Sequence, residues 1–190
     1  MKNEPSVSSL YERNPNTGNY IIEIALDKYD DVFNEWDHAS YRKRDMDPEL
    51  AFFLEESSNE IPMRYGLDLV FYLPRQEMDV AKESVITAVV KNYYQFYAGM
   101  ERKALRKAYR QMINYIVAAL ALLTSTYVFS IWQETFFLAI LSEGLSVGSW
   151  FFLWEAISFL IFERNEEREK IKTYERLARA NIFFRYDAQK

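Results

Sequence analysis

The residue whose chemistry stands out first is Glu143, an acidic side chain inside the apolar run Phe136–Phe162. An ionised carboxylate in hydrocarbon costs a few kcal/mol, so it must be paired, protonated or in contact with water. Counted along a helix from Phe136, Glu143 lies about 10 Å inside this run. Three hydroxyl side chains at a similar depth in the preceding apolar run are candidate partners, namely Thr124, Ser125 and Thr126.

Three interpretations of this predicted intramembrane polar site remain open. Glu143 could be a proton or cation site shared by several chains. It could be a protonated carboxyl group that hydrogen-bonds between the helices of one hairpin. It could also lie near the membrane interface, if the turn between the two apolar runs is deeper than the sequence suggests.

Gly144 and Gly148 form a Gly-x-x-x-Gly pattern beside this carboxylate. Small residues at this spacing allow two membrane helices to approach closely. At about 100° per residue, the two glycines occupy a face next to that of Glu143. They predict a helix-packing face, and with it a homo-oligomer.

Other kinds of chemistry find little support in the composition. The chain has no Cys, which excludes disulfides and thiolate metal sites, and its one histidine is His38. No phosphate loop, dinucleotide fingerprint or nucleophile elbow occurs. We therefore expect no enzyme, no catalytic residue, no cofactor and no metal. The net charge of −5 does not suggest nucleic-acid binding.

An acidic group precedes His38 and could in principle bind a divalent cation. It lacks the alternating ligands and the glycine of a calcium loop, so a solvated face is the preferred interpretation. The group consists of Asp27, Asp30, Asp31, Glu35 and Asp37.

Two apolar runs must position the intramembrane residues. Met112–Trp132 carries no formal charge and, as a helix, would extend about 30 Å, the thickness of a hydrocarbon core. Phe136–Phe162 is longer and is expected to tilt or to emerge from the bilayer. Only Gln133–Thr135 connects them, which predicts a tight hairpin with an external turn.

Basic residues flank the two runs on the same side and predict the orientation. The connecting turn has no Lys or Arg, so the positive-inside rule places both termini in the cytoplasm. The group before the first run could also contact anionic lipid, although an ordinary positive flank is the preferred interpretation. The two groups are Arg102, Lys103, Arg106, Lys107 and Arg110, and Arg164, Arg168, Lys170 and Lys172.

The remaining residues predict a small cytoplasmic domain. β-branched content indicates a strand at Tyr20–Leu26, and alternating patterns indicate strands at Leu67–Leu73 and Asn181–Tyr186, the last returning to pair with the first two. Asp47 and Pro48 predict the start of a helix, and a second, long helix is expected from about Asp79. In the polar connection between the first strand and the first helix, Phe33 and Trp36 are expected to be buried.

The predicted fold class is an α+β membrane protein: a two-helix transmembrane hairpin with long cytoplasmic helix extensions and a small cytoplasmic α+β domain. The predicted division is a flexible tail (1–19), an α+β region (20–78), a cytoplasmic helix (79–111), the first span (112–132), the external turn (133–135), the second span (136–162), and a cytoplasmic helix with a final strand (163–190).

Three stretches of the sequence resemble a family of small, uncharacterised bacterial two-span membrane proteins. These are Phe33–Glu56, Gly148–Glu163 and Thr173–Arg185. Similar members often carry an Arg-Pro pair after the second Trp of the span, where this chain has Glu155 and Ala156. The resemblance implies the two-span plan and a bacterial inner membrane, and it implies no activity.

The leading functional hypothesis is a homo-oligomeric inner-membrane scaffold, sensor or adaptor that acts through its cytoplasmic domain. Its expected partners are membrane lipids, further copies of the chain and a cytoplasmic protein. An oligomeric ion or proton channel that uses Glu143 is the alternative, and a membrane-permeabilising effector is a third.

Overall fold

The computed structural model describes residues 10–37, 45–131 and 136–187. The chain divides into two compact units: one holds the described residues up to Gly99 and those from Lys170, and the other is Met100–Glu169. In chain order the elements are β1 (Tyr20–Ala25), a 3₁₀ turn (Tyr29–Val32), α1 (Pro48–Glu60), β2 (Leu67–Pro74), a second 3₁₀ turn (Arg75–Glu77), α2 (Val80–Ile131), α3 (Phe136–Ser158), a π-helical turn (Phe159–Glu163), α4 (Arg164–Ala178) and β3 (Asn181–Asp187).

The first unit is built on a three-stranded sheet in the order β1-β2-β3. Both strand pairs are parallel, with Tyr20 beside Leu67 and Asp68 beside Asn181. The expected mixture of helices with a small sheet is therefore confirmed, as is the return of the last strand. The parallel orientation was not predicted; it requires a crossover after each strand, which α1 provides first and the segment α2–α4 second.

One face of the sheet forms the core against helices. Alternate residues of β2 point to this face, among them Leu69 and Phe71, which are fully buried. Phe71 stacks on Phe184 of β3 with ring centroids 5.6 Å apart. From the helices, Leu54, Val90, Leu177 and other buried residues complete the same cluster.

Helix starts follow the predicted capping chemistry. The Asp47 side chain accepts hydrogen bonds from the backbone N–H groups of Glu49 and Leu50 at 2.9 and 3.0 Å, with Pro48 in the first turn. These bonds satisfy donors that have no partner within the helix. Asp79 does the same for α2 through the N–H groups of residues 81 and 82.

The segment before β1 corrects the prediction of a flexible tail over residues 10–19. Ile21 N donates to Glu12 O at 2.9 Å, and Arg13 forms an antiparallel bridge with Tyr20. Gly18 has a φ of +74°, which suits glycine and lets the chain turn back here. These backbone bonds hold the segment to the edge of the sheet.

The two aromatic residues of the polar connection have different environments. Phe33 is buried at 2% exposure, as predicted, and belongs to the core. Trp36 is 92% exposed, so the expectation that it is buried was wrong. The chain turns at this point, where Trp36 N donates to the side chain of Asn34. The turn leaves the indole outside the core that Phe33 enters.

In the second unit, α2 and α3 contact each other through small side chains. Ser142, Ser149 and Ala156 recur every seven residues along α3 and are all buried, as is Ala119 on α2. Aromatic pairs accompany them, Tyr115 with Phe152 at 5.8 Å and Tyr109 with Phe159 at 5.3 Å. A seven-residue repeat is the spacing of a coiled-coil contact.

Two helices of the chain are long and apolar enough to cross a membrane. The most apolar stretch of 18 residues in each helix has a mean hydropathy of 1.7 and 1.6, respectively, and only 6% and 17% of those residues are buried. Large side chains such as Phe137, Trp150 and Trp154 are at least two-thirds exposed.

Candidate functional site

A buried carboxylate organises the amino end of the sheet. Asp68 of β2 has no exposed surface, and its oxygens accept four side-chain hydrogen bonds. Burial by itself raises the pKa of Asp68, but these bonds to the ionised form outweigh it and hold the pKa below the ordinary value. The four donors are Asn14 (2.6 Å), Thr17 (2.6 Å), Asn19 (2.7 Å) and Asn181 (2.9 Å).

The residue before β2 must be small for this arrangement. A Cβ atom on Gly66 would lie 2.4 Å from the Asn19 side-chain oxygen, closer than atoms can approach. Since Asn19 is a donor to Asp68, glycine at position 66 allows the amide to reach the carboxylate.

An open cavity of about 380 Å³ lies beside these residues, at the amino ends of β1 and β2. Its wall is formed by the connection between α1 and β2 and by α4. Four basic side chains and one acidic side chain line it, an excess of positive charge in a chain whose net charge is −5. The charged residues are Arg64, Lys172, Arg176, Arg179 and Glu175.

Arg176 forms the fixed wall of the cavity. Its guanidinium donates to the backbone oxygen and the hydroxyl of Ser58, and to the backbone oxygen of Ile61 at 2.8 Å. These acceptors lie at the end of α1, where helix carbonyls need partners. Burial lowers the pKa of Arg176 from its ordinary value, although arginine stays charged at physiological pH.

The other basic side chains are more accessible. Arg64 and Lys172 are exposed, and Arg64 lies over the ring of Tyr65, with its guanidinium carbon 4.8 Å from the ring centroid. The side chain of Arg179 is 81% exposed, and its nearest carboxylate oxygen, on Glu175, is 3.8 Å away.

The carboxyl end of the sheet is filled by a hydroxyl network. Tyr29 and Tyr186 lie 2.6 Å apart through their hydroxyl oxygens, and Tyr186 donates to Glu83. Burial, with the neighbouring carboxylate, raises the pKa of Tyr186. The N–H of Asp79 donates to Tyr29 at 3.2 Å, so this network holds the start of α2 on the strands. Ligands of open parallel sheets commonly bind at this end, but here it has a structural role.

The structure does not join Glu143 to the predicted hydroxyl partners. Glu143 is exposed, and its carboxylate makes no hydrogen bond or ion pair with any residue that the structure describes. The three hydroxyls donate instead to backbone oxygens one turn earlier in α2: Thr124 to Leu120 (2.8 Å), Ser125 to Ala121 (2.9 Å) and Thr126 to Leu122 (3.0 Å).

Of the two glycines predicted to pack between helices, only Gly148 lies next to α2. A Cβ atom on Gly144 would meet nothing within 4 Å, and one on Gly148 would meet Leu122 at 3.7 Å, an ordinary contact. Ser142 and Ser149 of α3 are buried, whereas Gly144 is exposed. A packing role for Gly144 therefore concerns a second chain, and it stays a prediction.

The acidic group has structural roles. Asp31 accepts from the N–H groups of Asp27 and Lys28 at 3.0 and 2.9 Å, and Asp37 accepts from that of Asp45. Among the described residues, no three His, Asp or Glu side chains are placed to hold a metal ion.

The remaining predicted positions are exposed or lie outside the described part of the chain. The basic side chains proposed for lipid contact are all exposed: Arg102, Lys103, Arg106, Lys107 and Arg110. His38 and the predicted turn at residues 133–135 lie outside the described residues.

Sequence reasoning missed the basic cavity and the buried carboxylate. Arg64 and Lys172 are more than one hundred positions apart, so no local pattern joins them. One signal was available for Asp68: it is an acidic residue that interrupts a run of strand formers, in a chain with four Asn or Thr residues just before the first strand.

Comparison of the chain with family models, with curated proteins and with solved structures finds no match.

Proposed function

We propose that the protein is an integral membrane sensor or adaptor, in which α2 and α3 cross the bacterial inner membrane as a hairpin and the sheet domain works in the cytoplasm. The observation that carries the proposal is the place of the apolar helices in the chain. Both lie within the crossover between β2 and β3, which are hydrogen-bonded neighbours.

This topology supports two crossings of the membrane. Because β2 precedes the first apolar helix and β3 follows the second, both strands must be in one compartment to pair. An even number of crossings satisfies that requirement. The exposed basic residues Arg102–Arg110 before the first span support the cytoplasm as that compartment.

The surfaces of the two apolar helices support insertion in lipid over burial in a soluble core. A core helix of this length would be mostly covered by protein, whereas these apolar stretches are only 6% and 17% buried. Aromatic and aliphatic side chains of α3, such as Phe136, Val147 and Phe151, are more than 60% exposed. Apolar area of this extent suits lipid or further copies of the chain.

A sensor or adaptor role is supported by the sheet domain. The domain carries an open basic cavity, and α2 and α4 each have residues in both units. A change in the domain that moves either helix would therefore be transmitted along that helix toward the membrane segment.

Single-cysteine labelling tests the insertion and the orientation, since the natural chain has no Cys. Arg75→Cys and Arg179→Cys place thiols before and after the hairpin, and Gln133→Cys places one in the predicted external turn. A membrane-impermeant maleimide should label only the last of these in intact spheroplasts, and all three after permeabilisation. Release of the protein from membranes by alkaline carbonate, or labelling of position 75 or 179 from outside, would contradict the proposal.

One observation favours a second candidate, an oligomeric ion or proton channel. The carboxylate of Glu143 has no partner among the described residues, so in lipid it requires water or a group from another chain. Flux through liposomes that contain the protein tests this candidate. Glu143→Gln should abolish the flux, whereas Glu155→Gln, another exposed carboxylate of α3, should leave it unchanged. Equal flux with and without Glu143 would rule the mechanism out.

A further inference from the structure

The excess of positive charge in the cavity at the amino end of the sheet favours an anionic ligand. Four basic groups and one acidic group line about 380 Å³ of open space. In the described part of the chain, the oxygens of Asp68 are already occupied by four donors, so this carboxylate does not balance them. Like charges held together are unfavourable unless an anion or solvent separates them.

The geometry points to a phosphate-bearing ligand in this cavity, either a soluble phosphate compound or a lipid headgroup. A singly charged carboxylate would offset only part of the excess charge, whereas a phosphate monoester carries up to two charges and accepts several hydrogen bonds. Guanidinium groups match phosphate oxygens in pairs, and Arg64 and Arg179 supply two such groups in the lining of the cavity.

The wall of the cavity also suits the organic part of such a ligand. Met63 and Tyr65 contribute apolar surface, and the Tyr65 ring is held edge-on against Tyr20 with centroids 5.1 Å apart. A volume of about 380 Å³ is within the range of small-molecule sites, and it exceeds what a bare phosphate fills.

The cavity is lined by parts of the chain that are distant in sequence, so a bound ligand would link them. Arg64 belongs to the α1–β2 connection and Arg179 to the connection between α4 and β3. A ligand that bridges them adds a link parallel to the bonds of Arg176 with Ser58 and Ile61. The inference rests on the proposed sensor role for its purpose, since the bound phosphate would be the input.

Calorimetric titration of the full chain in detergent tests the inference with two probes. Sodium pyrophosphate represents the soluble source, and dihexanoyl phosphatidate, compared with dihexanoyl phosphatidylcholine, represents the lipid source. We expect one of the two phosphate probes to bind, and to bind at least tenfold more weakly to the variant Arg64→Gln/Lys172→Gln/Arg179→Gln. The probe that binds identifies the source.

A matched control separates a site from general charge attraction. Lys28→Gln/Arg75→Gln/Lys91→Gln removes the same charge from the same unit, away from the cavity, and should change the affinity less than twofold. If the cavity variant does not fold, Arg64→Gln alone replaces it, with at least a threefold loss expected. Binding of neither probe, or equal weakening by both triple variants, would overturn the inference. Because labelling and carbonate extraction measure membrane insertion separately, failure of the ligand and failure of the proposed function are distinguishable.

Discussion

Asn181 of β3 donates a side-chain hydrogen bond of 2.9 Å to Asp68 of β2, across 113 positions of sequence. The same carboxylate also accepts bonds from the segment before β1. One buried residue on the central strand therefore ties together the parts of the chain on both sides of it.

Replacement of this carboxylate should destabilise the sheet domain. Asp68→Asn offers one acceptor oxygen to four donors and turns an amide N–H₂ toward them, so buried donors lose their partners. We expect the free energy of unfolding to fall by about 2–4 kcal/mol. Urea unfolding in detergent, followed by near-ultraviolet circular dichroism, measures the change. Asp30→Asn, on an exposed side chain, should change it by less than about 0.5 kcal/mol; an equal loss in both variants would contradict this role.

The same residue should leave a signature in the pH dependence of stability. Its pKa in the folded state lies below the ordinary value of about 4, so between the two values the unfolded chain binds more protons. The contribution of Asp68 is therefore complete above the ordinary pKa and is lost as the pH falls through the folded pKa. Unfolding curves from pH 7 down to pH 3 should show the difference between the natural chain and Asp68→Asn shrinking at the acid end. A difference that stays constant with pH would show that the charge is unimportant.

Arg176 should matter for stability far more than its neighbour Arg179. Arg176→Gln leaves acceptors of Ser58 and Ile61 at the end of α1 without their donor, and we expect a loss of about 2–3 kcal/mol in the free energy of unfolding. Arg179→Gln removes only an exposed ion pair and should cost less than about 0.5 kcal/mol. Thermal unfolding of the two variants side by side provides the measurement; similar midpoints would show that the Arg176 bonds do not hold α4 to α1.

Cysteine pairs should report the contact between α2 and α3. Position 148 lies next to Leu122, so Leu122→Cys/Gly148→Cys should form an intrachain cross-link on oxidation, visible as faster migration in a non-reducing gel. Leu122→Cys/Gly144→Cys is the control, because nothing lies within 4 Å of a Cβ at position 144. Cross-links of equal yield would mean that the two helices do not hold this register.

The proposed assembly of several chains has its own test at the open glycine. Gly144→Cys alone should give an interchain cross-link in native membranes if this face contacts a second copy. Lys103→Cys, on an exposed position before the apolar part of α2, should give much less. A protein that stays monomeric with both variants would remove the homo-oligomer from the proposal.

The sequence predicts the elements of this protein well where the signal is local. Alternating apolar residues indicate β2, and Asp47 with Pro48 indicates the start of α1, because strand alternation and helix capping depend on neighbouring residues. The direction of the strands was not predictable in this way, because a period of two looks the same in parallel and antiparallel sheets. The prediction that Trp36 is buried fails for a related reason. Its residue type suggests burial, but the conformation of the surrounding turn determines its exposure.

The candidate cavity depends on contacts over longer distances. Arg64 follows α1 and Arg179 follows α4, so only the folded domain brings them together. Glu143 is the opposite case. Its unusual position is evident in the sequence, and the structure adds that the hydroxyls of Thr124–Thr126 are engaged with their own helix.

The order of the strands also has a consequence for folding during synthesis of the protein. At the usual rates of synthesis, β3 leaves the ribosome roughly 6–23 seconds after β2, since 113 positions separate Asp68 from Asn181. Throughout that interval the central strand has one unpaired edge, while the ribosome is still delivering both apolar helices. Until β3 is synthesised, the nascent sheet depends on other groups to cover the unpaired edge of β2. A ribosome that stalls within α3 would leave the sheet without β3, with that edge open to aggregation.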